Sequence, residues 1–347
     1  MKKILLHGVG AVNNNLFDTN TRDNYNRPYI YLRNYLKLHG YEFTTSDKNS
    51  LDDVEFVFFN DFNSVLHYTG LKGFVKKIFS LFINKYKFRN LYNEIKNKKN
   101  IKSILFLWEA QAVMPKNWDL KLHNKFNTIM TWNDDYVDNN KYYKIYWPQT
   151  DIYPEITHVN FNEKKLLVNI SMNKSSNNAL ELYTERINSI KYFDKNFPND
   201  FDLFGYGWNK NPNKFSFNKN YFFKSYKGTI KNKWDVLPKY KFALCYENIK
   251  DTKGWVTEKI FDCFRCNCIP IYWGASNILD FVDNRTFIDR RDFKTNEDLA
   301  FFLNSITEIE YMIYIKNIEE YLQSDRFYKF LPEYYSNTIL NQIICSK

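Results

Sequence analysis

The sequence predicts an α/β protein made of two Rossmann-like units. Three observations lead there. Short apolar runs alternate with helix-spaced amphipathic stretches along most of the 347 residues, a length that accommodates two domains. No run of about 18 apolar residues interrupts them, so no membrane-spanning helix is expected. Hydrophobic residues make up 44% and charged residues 25%, which excludes disorder or a fibrous architecture as the main state.

In the first unit Ile4–Val9 reads as a buried strand running into a turn at Gly8-Val9-Gly10. The start Met1-Lys2-Lys3-Ile4-Leu5-Leu6 imitates a signal peptide. His7, Gly8 and Gly10 break that run and Asn13-Asn14-Asn15 ends it, so a cytoplasmic chain without a leader is expected. Tyr29–Leu38 has helical spacing and stops at Gly40. Val54–Phe59 is rich in β-formers and ends at Asn60-Asp61; Ser103–Leu107 and Thr128–Thr131 read as further strands. Between them Phe74–Asn97 is a long basic amphipathic segment. Pro148–Pro154 is aperiodic and marks the join, giving domains 1–152 and 153–347.

The second unit repeats the rhythm. Leu166–Ile170, Phe201–Phe204, Lys241–Tyr246 and Cys268–Tyr272 read as strands, and Ala179–Phe193 and Val256–Cys266 as helices. A polar loop spans Asn209–Asn220, and helical patterns dominate from Asn296 onward. Two such units facing across a cleft, with C-terminal helices, form the GT-B plan. Ligands in such sheets bind at the carboxyl ends of strands, so the loops after Val9, Leu107, Thr131, Ile170, Phe204, Tyr246 and Tyr272 are expected to carry the site.

Net charge is +10, a field that favours polyanions, acidic membrane surfaces or phosphate-bearing ligands without choosing among them. Five cysteines, four of them between Cys245 and Cys268, suit thiols in a reducing compartment better than a disulfide framework.

The most informative stretch is Tyr240-Lys241-Phe242-Ala243-Leu244-Cys245-Tyr246-Glu247-Asn248, followed by Gly254-Trp255-Val256-Thr257-Glu258-Lys259-Ile260-Phe261-Asp262. A strand delivers Glu247-Asn248 at its carboxyl end. A short glycine-bearing loop then leads to Thr257-Glu258-Lys259 in the first turn of a helix. That arrangement offers amides and a lysine to a diphosphate and a glutamate to sugar hydroxyls. On chemistry alone it equally suits an exposed first turn whose glutamate answers the helix dipole.

These two segments, with Ile269-Pro270-Ile271-Tyr272-Trp273-Gly274-Ala275, resemble the signature of the α-1,3-fucosyltransferases, glycosyltransferase family ten. The match runs over about 40 residues and departs at Trp255, where the family usually has Tyr, and at Ser276, where it usually has Pro. Phe287-Ile288-Asp289 resembles the strand that follows, and Glu181-Leu182-Tyr183 with Arg186 and Phe201–Trp208 resemble the bacterial branch. The resemblance implies an inverting GT-B transferase that takes L-fucose from GDP-fucose. It implies donor contacts at Asn248, Trp255, Glu258 and Lys259, with Lys259 neutralising the diphosphate and Trp255 forming an aromatic wall. The family places an arginine on the first donor-domain helix. No arginine occupies the matching turn; Lys174 and Arg186 are the nearest cations and the expected donor contacts, with Arg186 preferred because a guanidinium suits a diphosphate. Arg186 equally suits an exposed pair with Glu181 or Glu185.

Leu107-Trp108-Glu109-Ala110, with Pro115-Lys116-Asn117 following, resembles the family loop whose glutamate serves as general base, so Glu109 is the expected catalytic base. A strand-end carboxylate that pairs locally is the plainer reading. Thr131-Trp132 resembles the family's Thr-Tyr beside the nucleotide, which makes Trp132 a further donor contact.

Other patterns carry less. Asn133-Asp134-Asp135 has a metal-binding look but suits a helix-entry loop. Cys263, Cys266 and Cys268 lack a second ligand pair at zinc spacing. No metal is required for the implied chemistry, although a divalent cation stays open. The basic stretch Lys72–Lys99 reads either as a peripheral membrane contact near lipid-linked acceptors, lipopolysaccharide among them, or as the solvated face of a packed helix. No nucleic-acid reader motif accompanies it. The function expected is fucosyl transfer to a hydroxyl, O3 foremost, of a GlcNAc- or Glc-type residue in a glycan, protein-linked or otherwise. The alternatives are a GT-B transferase with another nucleotide sugar, and a non-catalytic glycan-binding relative. The sequence does not address oligomeric state.

Overall fold

The computed structural model describes residues 1–8, 11–62, 89–209 and 223–345. The turn expected at Val9 and Gly10, most of the loop Asn209–Asn220, and the basic segment Lys72–Lys99 through residue 88 lie outside the described residues. The chain divides into two compact units, Met1–Ile152 with Lys329–Lys347, and Tyr153–Tyr328.

The described strands of the first unit form a parallel sheet ordered β2-β1-β3-β4-β5-β6. They are β1 (Lys2–Gly8), β2 (Tyr41–Thr45), β3 (Val54–Asn60), β4 (Lys102–Leu107), β5 (Thr128–Thr131) and β6 (Tyr142–Lys144). Alternation explains the double burial. Ile4, Leu6, Phe56, Phe58, Ile104 and Phe106 pack on one face. Leu5, Val57, Phe59, Leu105 and Leu107 pack on the other. Strands apolar on both sides are what a parallel sheet covered on both faces requires.

Helix α1 (Arg27–Leu38) buries Pro28, Leu32 and Leu36 and ends before Gly40, whose φ of +86° favours glycine. Short helices α2 (Leu91–Ile95) and α3 (Leu120–His123) precede β4 and β5.

The second unit has its own parallel sheet, ordered β11-β10-β9-β7-β8. Its strands are β7 (Lys165–Ile170), β8 (Phe201–Phe204), β9 (Tyr240–Tyr246), β10 (Ile269–Trp273) and β11 (Ile288–Asp289). Helix α4 (Tyr183–Asn196) follows β7, and α5 (Glu258–Arg265) joins β9 to β10. Helices α6 (Asn296–Ser305), α7 (Glu308–Leu322) and α8 (Asp325–Tyr328) complete the unit.

The tail departs from the expected domain 153–347. Helix α9 (Pro332–Cys345) belongs to the first unit. Tyr335, Ile339, Leu340 and Ile343 form one apolar stripe, and they join the core of Leu32, Leu36 and Phe43. Tyr35 on α1 hydrogen-bonds Asn337, and Gln149 N–H donates to the Phe330 carbonyl at 2.7 Å. Helical spacing identified α9 as a helix but could not say which sheet its stripe covers. Among the described residues no helix is long and apolar enough to cross a membrane.

Candidate active site

In the second sheet the strand order reverses at β7, with β8 on one side and β9 on the other. The chain leaving β7 goes on to β8 and the chain leaving β9 to β10 on the other side, and open α/β sheets bind ligands at such switch points. The loop after β9 opens with Glu247, which has no exposed surface. Its carboxylate accepts from Thr257 N–H at 2.9 Å, from Thr257 Oγ1 at 2.8 Å and from Lys259 Nζ at 2.9 Å. A buried carboxylate survives only when paired and hydrogen-bonded, and these donors meet that need. Thr257 is the N-cap of α5, yet its own hydroxyl makes no cap bond. The strand's glutamate supplies the anion at the helix N-terminus instead.

Gly274, after β10, makes this packing possible. A Cβ there would lie 2.6 Å from Glu247 Cγ and 2.5 Å from Tyr272 Oη. Tyr272 Oη in turn accepts from Ala275 N–H at 3.0 Å and donates to the Trp255 carbonyl at 3.3 Å. The Trp273-Gly274-Ala275 turn and the loop into α5 are thereby tied together.

Arg186 on α4 is buried. Its Nη2 donates to the carbonyls of Tyr246 at 2.6 Å and Glu247 at 2.9 Å, and its guanidinium lies 5.5 Å from the Tyr183 ring centre. Burial lowers its pKa, from a value so high that the charge persists. The preferred sequence reading put this guanidinium on the diphosphate; here it is buried with Nη2 on these two carbonyls, and the alternative exposed pairing with Glu181 or Glu185 does not form. Arg186 sits beneath the site and braces the end of β9.

The β7 loop is fastened to the β9 loop. Lys250 N–H donates to Leu180 C=O at 2.8 Å, Leu182 N–H to Asn248 C=O at 3.1 Å, and Glu181 bridges Ile249. Nearer β7, Ser171 lies against Gly205, whose φ is +129° and where a Cβ would meet the Ser171 carbonyl at 1.8 Å. Trp208 Nε1 donates to that same carbonyl at 2.6 Å. Lys174 stands on this loop with its side chain in solvent.

On the first turn of α5 Glu258 is 38% exposed, 3.8 Å from Lys259 and 3.6 Å from Lys233. Burial alone would raise its carboxyl, but Lys259, Lys233 and the helix amide bring it down to about 2. Lys259 is 26% exposed. Burial would lower its ammonium, yet Glu247 and Glu258 outweigh that and raise it above the ordinary lysine value. Asp262, one turn on, holds Lys233 by an ion pair. The result is a fixed ammonium beside an ionised carboxylate at a helix N-terminus, suited to a diphosphate and to hydroxyl donors.

The first unit has a second cluster at the ends of β3 and β4. Asp61 Oδ1 accepts from Trp108 N–H at 2.8 Å, Glu109 N–H at 3.2 Å and Asn117 Nδ2. Burial raises the Asp61 carboxyl even though these donors pull it down. The Glu109 carbonyl accepts from Trp118 Nε1 at 3.0 Å. Glu109 is therefore held by its backbone on both sides, and its residue is partly exposed. His123 Nε2 lies 2.6 Å from the Asn117 carbonyl and extends the same network.

Glu258 and Lys259 stand 3.8 Å apart on the first turn of α5, Asn248 follows the glutamate that holds Lys259, and Lys174 stands on the adjoining loop. The two tryptophans differ from expectation. Trp255 and Trp132 are each 1% exposed, so neither presents an open wall. Trp132 Nε1 donates to the Trp108 carbonyl at 2.9 Å and its ring tilts against Trp118. A large ring at a strand end gains more by packing inward. Sequence reasoning passed over Glu247 as a working residue although it stands beside Asn248. Lys233 and Asp61 belong to no motif and had no signal. Among the described residues no three His, Cys, Asp or Glu side chains form a metal-binding group.

Residues 163–338, just over half of the chain, match the model of the glycosyltransferase family 10 (fucosyltransferase) C-terminal region. The chain is 39% identical over 88 residues to an α-(1,3)-fucosyltransferase of Helicobacter pylori, a segment that is 25% of this chain and 17% of that protein. It is 39% identical over 67 residues to an α-(1,4)-fucosyltransferase of Arabidopsis thaliana, 19% of this chain and 16% of the relative. The matched segments thus span less than a fifth of these curated relatives. A crystal structure of an α1,3-fucosyltransferase superposes with a TM-score of 0.51 at 16% identity, covering 92% of this chain and 80% of that one. Anabaena HepE in complex with UDP superposes at 0.53 and 9% identity, covering 99% and 100%. These likenesses establish the GT-B fold.

Proposed function

The chain belongs to glycosyltransferase family 10, and from that membership we propose that it is an inverting fucosyltransferase. In this reading it moves L-fucose from GDP-fucose to a hydroxyl, O3 foremost, of a GlcNAc- or Glc-type residue in a glycan. The observation that carries it is the assembly of Glu247, Glu258 and Lys259 at the switch point of the second sheet, with Asn248 next in the chain, inside the region that matches the family.

The step is a single in-line displacement. The acceptor hydroxyl gives its proton to the Glu109 carboxylate as its oxygen bonds the anomeric carbon. The bond from that carbon to the phosphate oxygen breaks, and GDP leaves with the electron pair. Lys259, the amides that open α5 and the solvent-borne Lys174 neutralise the diphosphate. Glu258, ionised at neutral pH, accepts hydrogen bonds from the sugar hydroxyls. Arg186 acts through the carbonyls it braces, and Trp255 through the carbonyl that accepts from Tyr272 Oη.

The test incubates the chain with GDP-fucose, GDP-mannose or UDP-glucose and with N-acetyllactosamine or lactose. Nucleotide release and NMR of the product are read. Transfer from GDP-fucose with an α linkage at O3 is expected. Absence of GDP-fucose binding, or release only from another sugar nucleotide, would overturn the reading.

A further inference from the structure

We propose that Asp61 is the positioning residue of the transfer reaction: it sets where the Glu109 carboxylate stands, and it does so as a fixed acceptor rather than as a charge. The inference rests on the functional reading given above, since it takes Glu109 as the base.

The argument is geometric. Asp61 stands at the end of β3 with φ of +59°, and its own N–H donates to the Phe106 carbonyl of β4 at 2.9 Å. That bond anchors its backbone to the strand that carries Glu109. A single oxygen, Oδ1, then receives the N–H groups of Trp108 and Glu109 and the side-chain amide of Asn117. Asn117 returns the hold on Asp61's neighbour, accepting from Phe62 N–H at 2.7 Å. The Glu109 carbonyl is closed off by Trp118, and the Trp108 carbonyl by Trp132. The Glu109 N–H, the Glu109 carbonyl and the Trp108 carbonyl are thus each engaged by a side chain. Only one of those side chains, Asp61, holds both amides. A general base must lie within hydrogen-bond reach of its proton, and a displacement of about 1 Å can cost about 100-fold in rate.

Two substitutions separate position from charge. Asp61→Asn keeps the acceptor oxygen in place and removes the charge. Asp61→Glu keeps the charge and shifts the acceptor by one methylene. The kcat of Asp61→Asn is expected within about 3-fold of the parent, and that of Asp61→Glu about 30-fold or more below it. The KM for GDP-fucose is expected to stay unchanged in both. On a Glu109→Gln background Asp61→Glu is expected to add less than about 2-fold, because the base it positions is gone. The reverse ranking of the two variants, or full additivity with Glu109→Gln, would overturn the proposal. Thermal melting accompanies each variant, and a folded Asp61→Glu with parental kcat would overturn it equally. A parent chain that transfers no fucose refutes the functional reading instead. The positional claim is then decided by the crystal structure of Asp61→Glu, in which an unmoved Glu109 would refute it.

Discussion

Lys259 Nζ lies 2.9 Å from Oε2 of Glu247, a carboxylate with no exposed surface. Removing the lysine strands that carboxylate in the interior, a loss of about 3–5 kcal/mol. Lys259→Met is therefore expected to lower the guanidinium midpoint at neutral pH as well as abolish donor binding. The folded ammonium is raised above its unfolded value. Its stabilisation is complete below the unfolded value of about 10.4 and fades as pH rises through the folded one. The gap between parent and Lys259→Met should therefore narrow in strongly alkaline buffer. An equal gap at neutral and alkaline pH would count against the coupling.

Gly274→Ala tests the packing that fixes the same pair. The added methyl meets Glu247 Cγ and Tyr272 Oη well inside contact distance, and both are buried. Relief requires Glu247 to move, which draws Thr257 and Lys259 with it. The expected cost is about 1–3 kcal/mol, with GDP-fucose affinity at least tenfold weaker. Calorimetric titration with GDP-fucose reads the second effect, and parental affinity in this variant would show that the close approach is slack.

Much of this was legible in the sequence because it depends on local pattern. Strands such as Thr128–Thr131 and Phe201–Phe204 coincide with short apolar runs bounded by polar turns. Edge strands β2 and β6 were missed, since Tyr41–Thr45 and Tyr142–Lys144 are mixed in polarity and short. The candidate site residues Asn248 and Glu258-Lys259 sit on a continuous signature, which is why the sequence points to them. Asp61 could not, because its meaning lies in a pairing with residues 47, 48 and 56 positions away. The inward turn of Trp132 and Trp255 likewise depends on what surrounds them, and residue type alone leaves that undecided.

Ile339 measures how much the tail contributes to the first unit. It is fully buried among Leu32, Leu36 and Phe43, far along the chain from all of them. Ile339→Ala is expected to cost about 2–5 kcal/mol. Because the residues proposed to hold the donor lie in the other unit, GDP-fucose affinity below the melting transition should stay at the parental value. Limited proteolysis should cut the variant within residues 1–152 first. Early cleavage confined to 153–328 would contradict the placement of α9.

The pH dependence of turnover separates the two glutamates. Glu258 is held down to about 2 by Lys259 and Lys233 despite its partial burial. Its folded value lies below the unfolded one of about 4.3, so the stability it lends is full above that value and is lost only as pH falls through about 2. It therefore stays ionised across the range in which the enzyme can be assayed and cannot produce an acidic limb there. A base must be unprotonated to act, so with Glu109 as the proposed base the acidic limb of kcat is expected to depend on Glu109 and not on Glu258. Glu109→Gln is expected to lower kcat by about 100-fold or more and to flatten that limb. Glu258→Gln is expected to raise the KM for GDP-fucose and leave the limb where it was. A limb that moves with Glu258→Gln and persists in Glu109→Gln would exchange the two roles.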